Sequence, residues 1–527
     1  MDVTGQRDEM QALLALLPVL LLAALMIFFK WGLVRAASLA LLISILFAYV
    51  FFGAGPTLLA FAIAKSFLLG LYASYIIVAG VLLYNLVDSA GGIEAIALGL
   101  SRVARDQVLQ VLVFAWTLAS LLQGVAGFGV PIAVVSPMLV TLGLKPDDAV
   151  AASAMGHAWA VTFGSMATSF LALVLVTGMH APVLAHWSAI FLGISSIIAG
   201  FFVALTYGGS KAIRHGFLAI ALIGTSMAVS LYITAAVALS YLAASIVSGA
   251  VGLLTALALS KLPLYSHEDN ANKSSSAHET RLGFHSAFSP YYALIALSLI
   301  LGFPSSISKA LSGLAIVTLP FPSTSTELGW VNKAVSSYSP IPILTHPGSI
   351  VLYATAFAYI LFRRKQLLKP GSIRRILDAT MRDCISGVNG IFLVSGIALV
   401  LNESGMSFEL ARSTSEFAGF YYPIFAALIG AFGCFTTGSN TASNTLFGLF
   451  QKEVSQLINA NPSIVVSAQT TGGSVASMIS PAKVAVGSTT LGIPGREGYI
   501  MRRTFIPLLT TVVVIGILTQ ILAFHIR

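Results

Sequence analysis

The chain is a succession of apolar runs, many of them as long as a bilayer is thick, separated by short polar breaks. An apolar stretch of about 20 residues crosses the hydrocarbon core as a helix. Runs of this kind stand at 11–29, 36–53, 66–87, 107–122, 187–208, 216–232, 234–260, 289–303, 347–362, 385–401, 422–436 and 504–525. Of the 527 residues 57% are hydrophobic and 9% charged, and mean hydropathy is +0.91. Soluble domains carry about 25% charged residues, so this chain cannot cover a water-facing surface of its own size. Its excess apolar surface faces lipid, which predicts an all-α integral membrane protein with about 12–14 transmembrane helices.

The formal net charge of +9 does not point to nucleic acid, because the basic residues sit in short clusters between apolar runs. Placing Lys30, Arg35, Arg102, Arg105, Lys211, Arg214, the cluster from Arg363 to Arg382, and Arg496, Arg502 and Arg503 inside puts Glu403, Glu409 and Glu416 outside. The same count predicts both termini outside. Asp2, Arg7, Asp8 and Glu9 precede the first run, so it lacks the positive leader of a signal peptide and reads as a retained span. Lys65 and Asp88 flank one run and read as interfacial groups. Cys384 and Cys434 have no disulfide or metal-ligand spacing, and no cofactor or metal is expected.

Residues 263–282 are the one long polar segment, a solvated cytoplasmic linker by composition. It divides an N-terminal half, 1–262, from a C-terminal half, 283–527. The proline-rich stretch 320–346 reads as an ordered external crossover or a partly re-entrant segment.

Two regions are apolar yet rich in Gly, Pro, Ser, Thr and Asn. In the first, Gly127-Phe-Gly129-Val-Pro131 is followed by a stretch from His157 to Met166; in the second, Thr437-Gly-Ser439-Asn440-Thr441 is followed by Thr470-Thr471-Gly472-Gly473-Ser474. Paired interruptions at corresponding places in two halves are the sequence pointer to a carrier's binding site, and they predict two inverted repeats with broken helices and re-entrant hairpins. Unwound backbone survives in a membrane only inside protein or beside a watery cavity. The glycines of 124–129 permit left-handed turns, and freed amides at a half-helix N-terminus suit an anion. Ser439, Asn440 and Thr441 recur one helical turn later as Ser443, Asn444 and Thr445, on one face. Their hydroxyls and amides can bind a carboxylate or a small cation, although Ser, Thr and Gly also serve close helix packing. Lys483 sits inside an apolar run, where a lysine is costly and marks function unless it snorkels from a helix end. His157 is a further candidate for anion or proton, or a structural hydrogen-bonding group. Paired intramembrane aspartates, an H-E-x-x-H, a serine nucleophile with a positioned base and a nucleotide-binding loop are lacking, which argues against an enzyme and against ATP-driven transport.

The stretches 122–134 (LQGVAGFGVPIAV), 142–146, 435–447 (FTTGSNTASNTLF) and 469–485 (QTTGGSVASMISPAKVA) resemble the bacterial lactate permease family. The resemblance implies a secondary carrier in the cytoplasmic membrane that takes up lactate or glycolate by proton symport. It also implies kinship with the ion transporter superfamily, with a transport domain that moves against a scaffold, and a homodimer. The site residues so marked are Gln123, Gly127, Gly129, His157, Ser439, Asn440, Thr441, Ser443, Asn444, Thr471, Gly472 and Lys483. Lactate permeases typically carry Glu in place of Gln123, Asp in place of Asn440, and a neutral residue near Lys483. All three departures make the site less negative, so the substrate class is expected to be kept while proton coupling is weakened, rerouted or replaced by exchange. The alternative is a sodium-coupled carrier or exchanger for another small anion.

Overall fold

The computed structural model describes residues 3–101, 106–127, 129–265, 282–302 and 310–526. The linker 263–282 lies almost wholly outside them, as do Arg102 and Arg105. The first half runs α1 (Val3–Ile27), α2 (Leu33–Phe52), α3 (Pro56–Ser89), α4 (Gly92–Ser101), α5 (Gln107–Val125), α6 (Val130–Thr141), α7 (Pro146–Ala158), α8 (Gly164–Thr177), α9 (Ala181–Tyr232) and α10 (Tyr241–Leu259). The second continues with α11 (Phe284–Gly302), the strands β1 (Ile316–Phe321), β2 (Thr324–Ser325), β3 (Val331–Asn332) and β4 (Val335–Pro342), then α12 (Pro347–Arg364), α13 (Ser372–Glu403) and α14 (Met406–Ala418). It ends with α15 (Ala426–Thr437), α16 (Asn440–Leu457), α17 (Pro462–Ala476), α18 (Pro481–Thr490) and α19 (Glu497–His525).

Among the described residues ten helices are long and apolar enough to cross a membrane, or eleven if the bent pair Pro146–Val161 and Gly164–Thr177 counts as one span. The 57-residue segment Ala181–Val237 supplies two of the apolar runs read from sequence, since it is bent at Gly208 and at Gly209, which takes φ +65° and ψ −150°. Proline at the first turn starts α3, α7, α9, α12, α17 and α18, where its missing N–H is not needed.

The helices sort into two packed groups, and each half contributes to both. In the first group α3 lies along α13, with α2 against α13 and α12 against α3. Lys65, early in α3, meets Glu403 at the end of α13, while Asn85, late in α3, meets Thr380 near the start of α13, so the two long helices run antiparallel. The stretch 320–346 forms two antiparallel pairs, β1 with β4 and β2 with β3, in register Ile316↔Pro342 and Thr324↔Asn332. This small β unit rests on the end of α2 and α13 through Glu327 N–H to Gly53 O (3.0 Å) and Asn332 Nδ2 to Glu403 O (2.8 Å). An ordered crossover was expected there; its strand character was not.

The second group holds α5–α10 and α15–α19. Its helices touch where glycine removes the side chain. A Cβ at Gly156 would collide with the carbonyl of Ala115, inside a π-helical stretch (Val113–Leu118), and one at Gly472 with the carbonyl of Ala427. The groups meet along α3 with α8 and α13 with α16, while α14 bridges α1 and α16.

Candidate functional site

Four interruptions converge in the second group. Between α5 and α6 the chain passes Ala126, Gly127 and Gly129, the last left-handed at φ +93°. Between α7 and α8 it makes a 3-10 turn, Trp159–Val161, and then holds Ser165, Met166 and Ala167 at φ +46°, +53° and +58°. Left-handed L-residues cost about 1–2 kcal/mol each, so three in succession persist only because the surroundings impose them. Between α15 and α16 Gly438 is left-handed (φ +75°) and Ser439 caps the next helix, its Oγ accepting from Ala442 N–H (3.4 Å). Between α17 and α18 a second 3-10 turn, Ser477–Ile479, leads through extended Ser480 into Pro481.

The interruptions of the two halves are bonded to each other. Thr162 N–H donates to Ser474 Oγ (3.1 Å), which donates in turn to Ala158 O (2.8 Å). Thr162 Oγ1 lies 3.1 Å from both the carbonyl and the hydroxyl of Thr470. Asn440 Nδ2 donates to Thr162 Oγ1 (3.1 Å), and Asn444 Nδ2 donates to Thr470 Oγ1 (2.8 Å) and Ser169 O (2.9 Å). Ser169 and Thr441 share a hydroxyl bond at 2.9 Å. Three buried amide oxygens, on Gln123, Asn440 and Asn444, keep no partner within the protein. Such groups are rare in folded interiors and call for a reason.

Against this network lies a small cavity that opens to solvent. Its wall is Gln123 and Gly127 from the first break, Val161, Ser165, Thr168 and Ser169 from the second, Gly438, Ser439, Asn440 and Thr441 from the third, and Lys483 from the first turn of α18. Lys483 is 7% exposed and forms no ion pair among the described residues. Among the described residues no Asp or Glu lines the cavity, and Lys483 brings the one formal charge. The N-terminal end of α16, whose first residues line the cavity, adds partial positive charge. The arrangement suits an anion no larger than a few heavy atoms, held by one ammonium, a helix N-terminus and several hydroxyls.

Of the residues marked from sequence, Gln123, Gly127, Ser439, Asn440, Thr441 and Lys483 line the cavity. The rest stand behind it. Gly129 caps α6 against Val486, Ser443 donates to Gly430 O (2.8 Å), and Asn444 holds the network above. Thr471 bonds its own helix at Ser467 O (2.8 Å), and Gly472 is a packing glycine. His157 is fully buried, with Nδ1 2.7 Å from Ser153 O and Nε2 unpartnered. Val161 and Ser165 fall within the marked stretch from His157 to Met166, and Gly438 within Thr437–Thr441, but none of them was named as a site residue; Thr168 and Ser169 lie just beyond the marked stretch and continue its Gly/Ser/Thr signal.

A family model of L-lactate permease matches residues 11–526. The chain belongs to the L-lactate permease family. It is 30% identical to the glycolate permease GlcA of Escherichia coli, over 98% of this chain and 96% of that protein. It is 25% identical to the L-lactate permease of the same organism at the same coverage, and 24% identical to that of Halalkalibacterium halodurans, over 98% of both. Among solved structures, the YdaH transporter of Alcanivorax borkumensis aligns at 16% identity over 85% of this chain and 84% of that one, with a TM-score of 0.43. The permease is therefore a multi-pass membrane transporter rather than an enzyme.

Proposed function

We propose that this permease carries small monocarboxylates of the lactate and glycolate class across the cytoplasmic membrane by alternating access, with the cavity around Lys483 as its binding site. The observation that carries the reading is a cavity walled by three of the interruptions and by the helix that follows the fourth, with one buried lysine and, among the described residues, no carboxylate. A single cation balances a monoanion, whereas a dianion would leave one negative charge uncompensated in a low-dielectric site. The hydroxyls of Ser165, Thr168, Ser169, Ser439 and Thr441 are available to a substrate hydroxyl beside the carboxylate. The names of the relatives, lactate and glycolate permeases, support the same class.

The moving part in this reading is the second packed group, and the α3–α13 group is the scaffold. Halves 1–262 and 283–527 act as inverted repeats. In support, the helices α3 and α13 run antiparallel, and each half carries one Gly break followed by one 3-10 break. Radiolabelled counterflow in proteoliposomes tests the assignment. Lactate and glycolate should exchange and compete with each other, and succinate should do neither. Transport of succinate at a rate equal to lactate would sink the monocarboxylate reading.

A further inference from the structure

The charge of the cavity sets which forms of the carrier can move, and this inference rests on the proposed binding site. Among the described residues Lys483 is the only formally charged side chain on the wall, and two titratable groups stand behind it: the Cys434 thiol of α15 and the fully buried His157 of α7, both close enough to feel its charge. The carboxylates nearest along the chain do not reach it. Glu453 lies several turns down α16 from Asn440, about 20 Å by helical rise, and accepts from Ser407. Asp147 and Asp148 occupy the far end of α7 and are paired with Arg496 and Arg503. Glu497 accepts from Ser488 Oγ at 2.6 Å.

We infer that the permease is an electroneutral monocarboxylate exchanger: bound carboxylate and the Lys483 ammonium make a neutral cavity that crosses readily, while the empty cavity keeps an uncompensated positive charge that holds the carrier in place. A paired charge moves through a low-dielectric layer at small cost, and an unpaired one does not. Return of the empty carrier should be about 100-fold slower than return with substrate, the factor that corresponds to an unpaired lysine near the bilayer centre. Net proton symport would need a group on the wall that gains a proton with substrate and loses it afterwards. A glutamine and an asparagine stand where a carboxylate would serve.

The experiment uses full-length protein in proteoliposomes with labelled lactate, preceded by lactate binding to the purified protein. Absence of binding removes the site reading and this inference with it. If lactate binds, uptake into vesicles preloaded with unlabelled lactate should exceed uptake into empty vesicles by about 100-fold. The exchange rate should not respond to a potassium-valinomycin potential, and an acid-outside gradient should not drive accumulation into empty vesicles. Equal uptake into empty and preloaded vesicles overturns the inference while leaving the binding site intact, as does sodium-driven accumulation. Two variants sharpen the result. Lys483→Arg keeps a cation that cannot deprotonate, so whatever rate remains should keep the same preference for preloaded over empty vesicles; proton-driven accumulation present in the parent and lost in this variant would show that Lys483 carries the proton, against the inference. Gln123→Glu makes the empty cavity neutral, and it should raise uptake into empty vesicles at least about tenfold and make that uptake acid-stimulated. No gain from Gln123→Glu in a variant that still binds lactate overturns the charge argument.

Discussion

Two buried lysines in this permease have opposite fates. Lys65, in the α3–α13 group, meets both oxygens of Glu403 at 2.8 and 2.7 Å and lies 5.4 and 5.6 Å from the rings of Phe321 and Tyr338. Lys483, in the cavity group, is nearly as buried and has no carboxylate to meet. A paired buried charge is a structural joint, here between two long helices and the β unit. An unpaired one needs a partner or must give up its proton, and in the proposed reading the partner is the substrate carboxylate that enters the cavity.

That contrast can be broken by substitution. Lys65→Ala leaves Glu403 unpaired and should cost about 3–5 kcal/mol of stability, read as a fall in melting temperature in detergent. The double change Lys65→Met with Glu403→Leu should recover most of that loss. Lys483→Gln should do the reverse: lactate exchange falls about 100-fold, a change of about 2.7 kcal/mol, with the melting temperature unchanged or raised. A melt that collapses in Lys483→Gln would make this lysine structural and end the comparison. Asn444→Ala removes the bonds to Thr470 and Ser169 behind the cavity and should cost about 1–3 kcal/mol in unfolding experiments, with exchange reduced less than in Lys483→Gln. The smallest effect is expected from Arg496→Ala. Its bidentate contact with Asp147 (3.1 and 2.5 Å) is exposed to solvent, so neither melting temperature nor exchange should change measurably.

The legibility of the site followed the chemistry of each segment. The segment Thr437–Asn444 stood out because two amides join its hydroxyls inside an apolar run, more than close helix packing asks for, and the structure places Ser439, Asn440 and Thr441 on the cavity wall. The triplet one turn on, Ser443 and Asn444, shares the helical face but points its bonds at Gly430, Thr470 and Ser169. Helical periodicity fixes which residues share a face, not how deep along the helix the neighbouring segments reach. Ser165, Thr168 and Ser169 were missed for a related reason. Their presentation depends on three left-handed residues, Ser165 to Ala167, that carry no glycine and therefore no local signal for such a turn. Lys65 read as interfacial because its partner is 338 positions away in the chain.

The amino-acid sequence by itself determined that the chain lives in a bilayer, since 9% charge cannot clothe 527 residues in water. It also marked the breaks at Gly127–Pro131 and Thr437–Thr441, because Gly and Pro act through their own backbone geometry, whereas Thr470–Ser474, read as a break, stays helical and the chain turns at Ser477–Ile479 instead. Only the tertiary structure decided which breaks meet, which hydroxyls face the cavity and which lysine is paired. Those are matters of distance between segments hundreds of residues apart, and charge pairing in a low-dielectric interior changes its meaning entirely over a few ångströms.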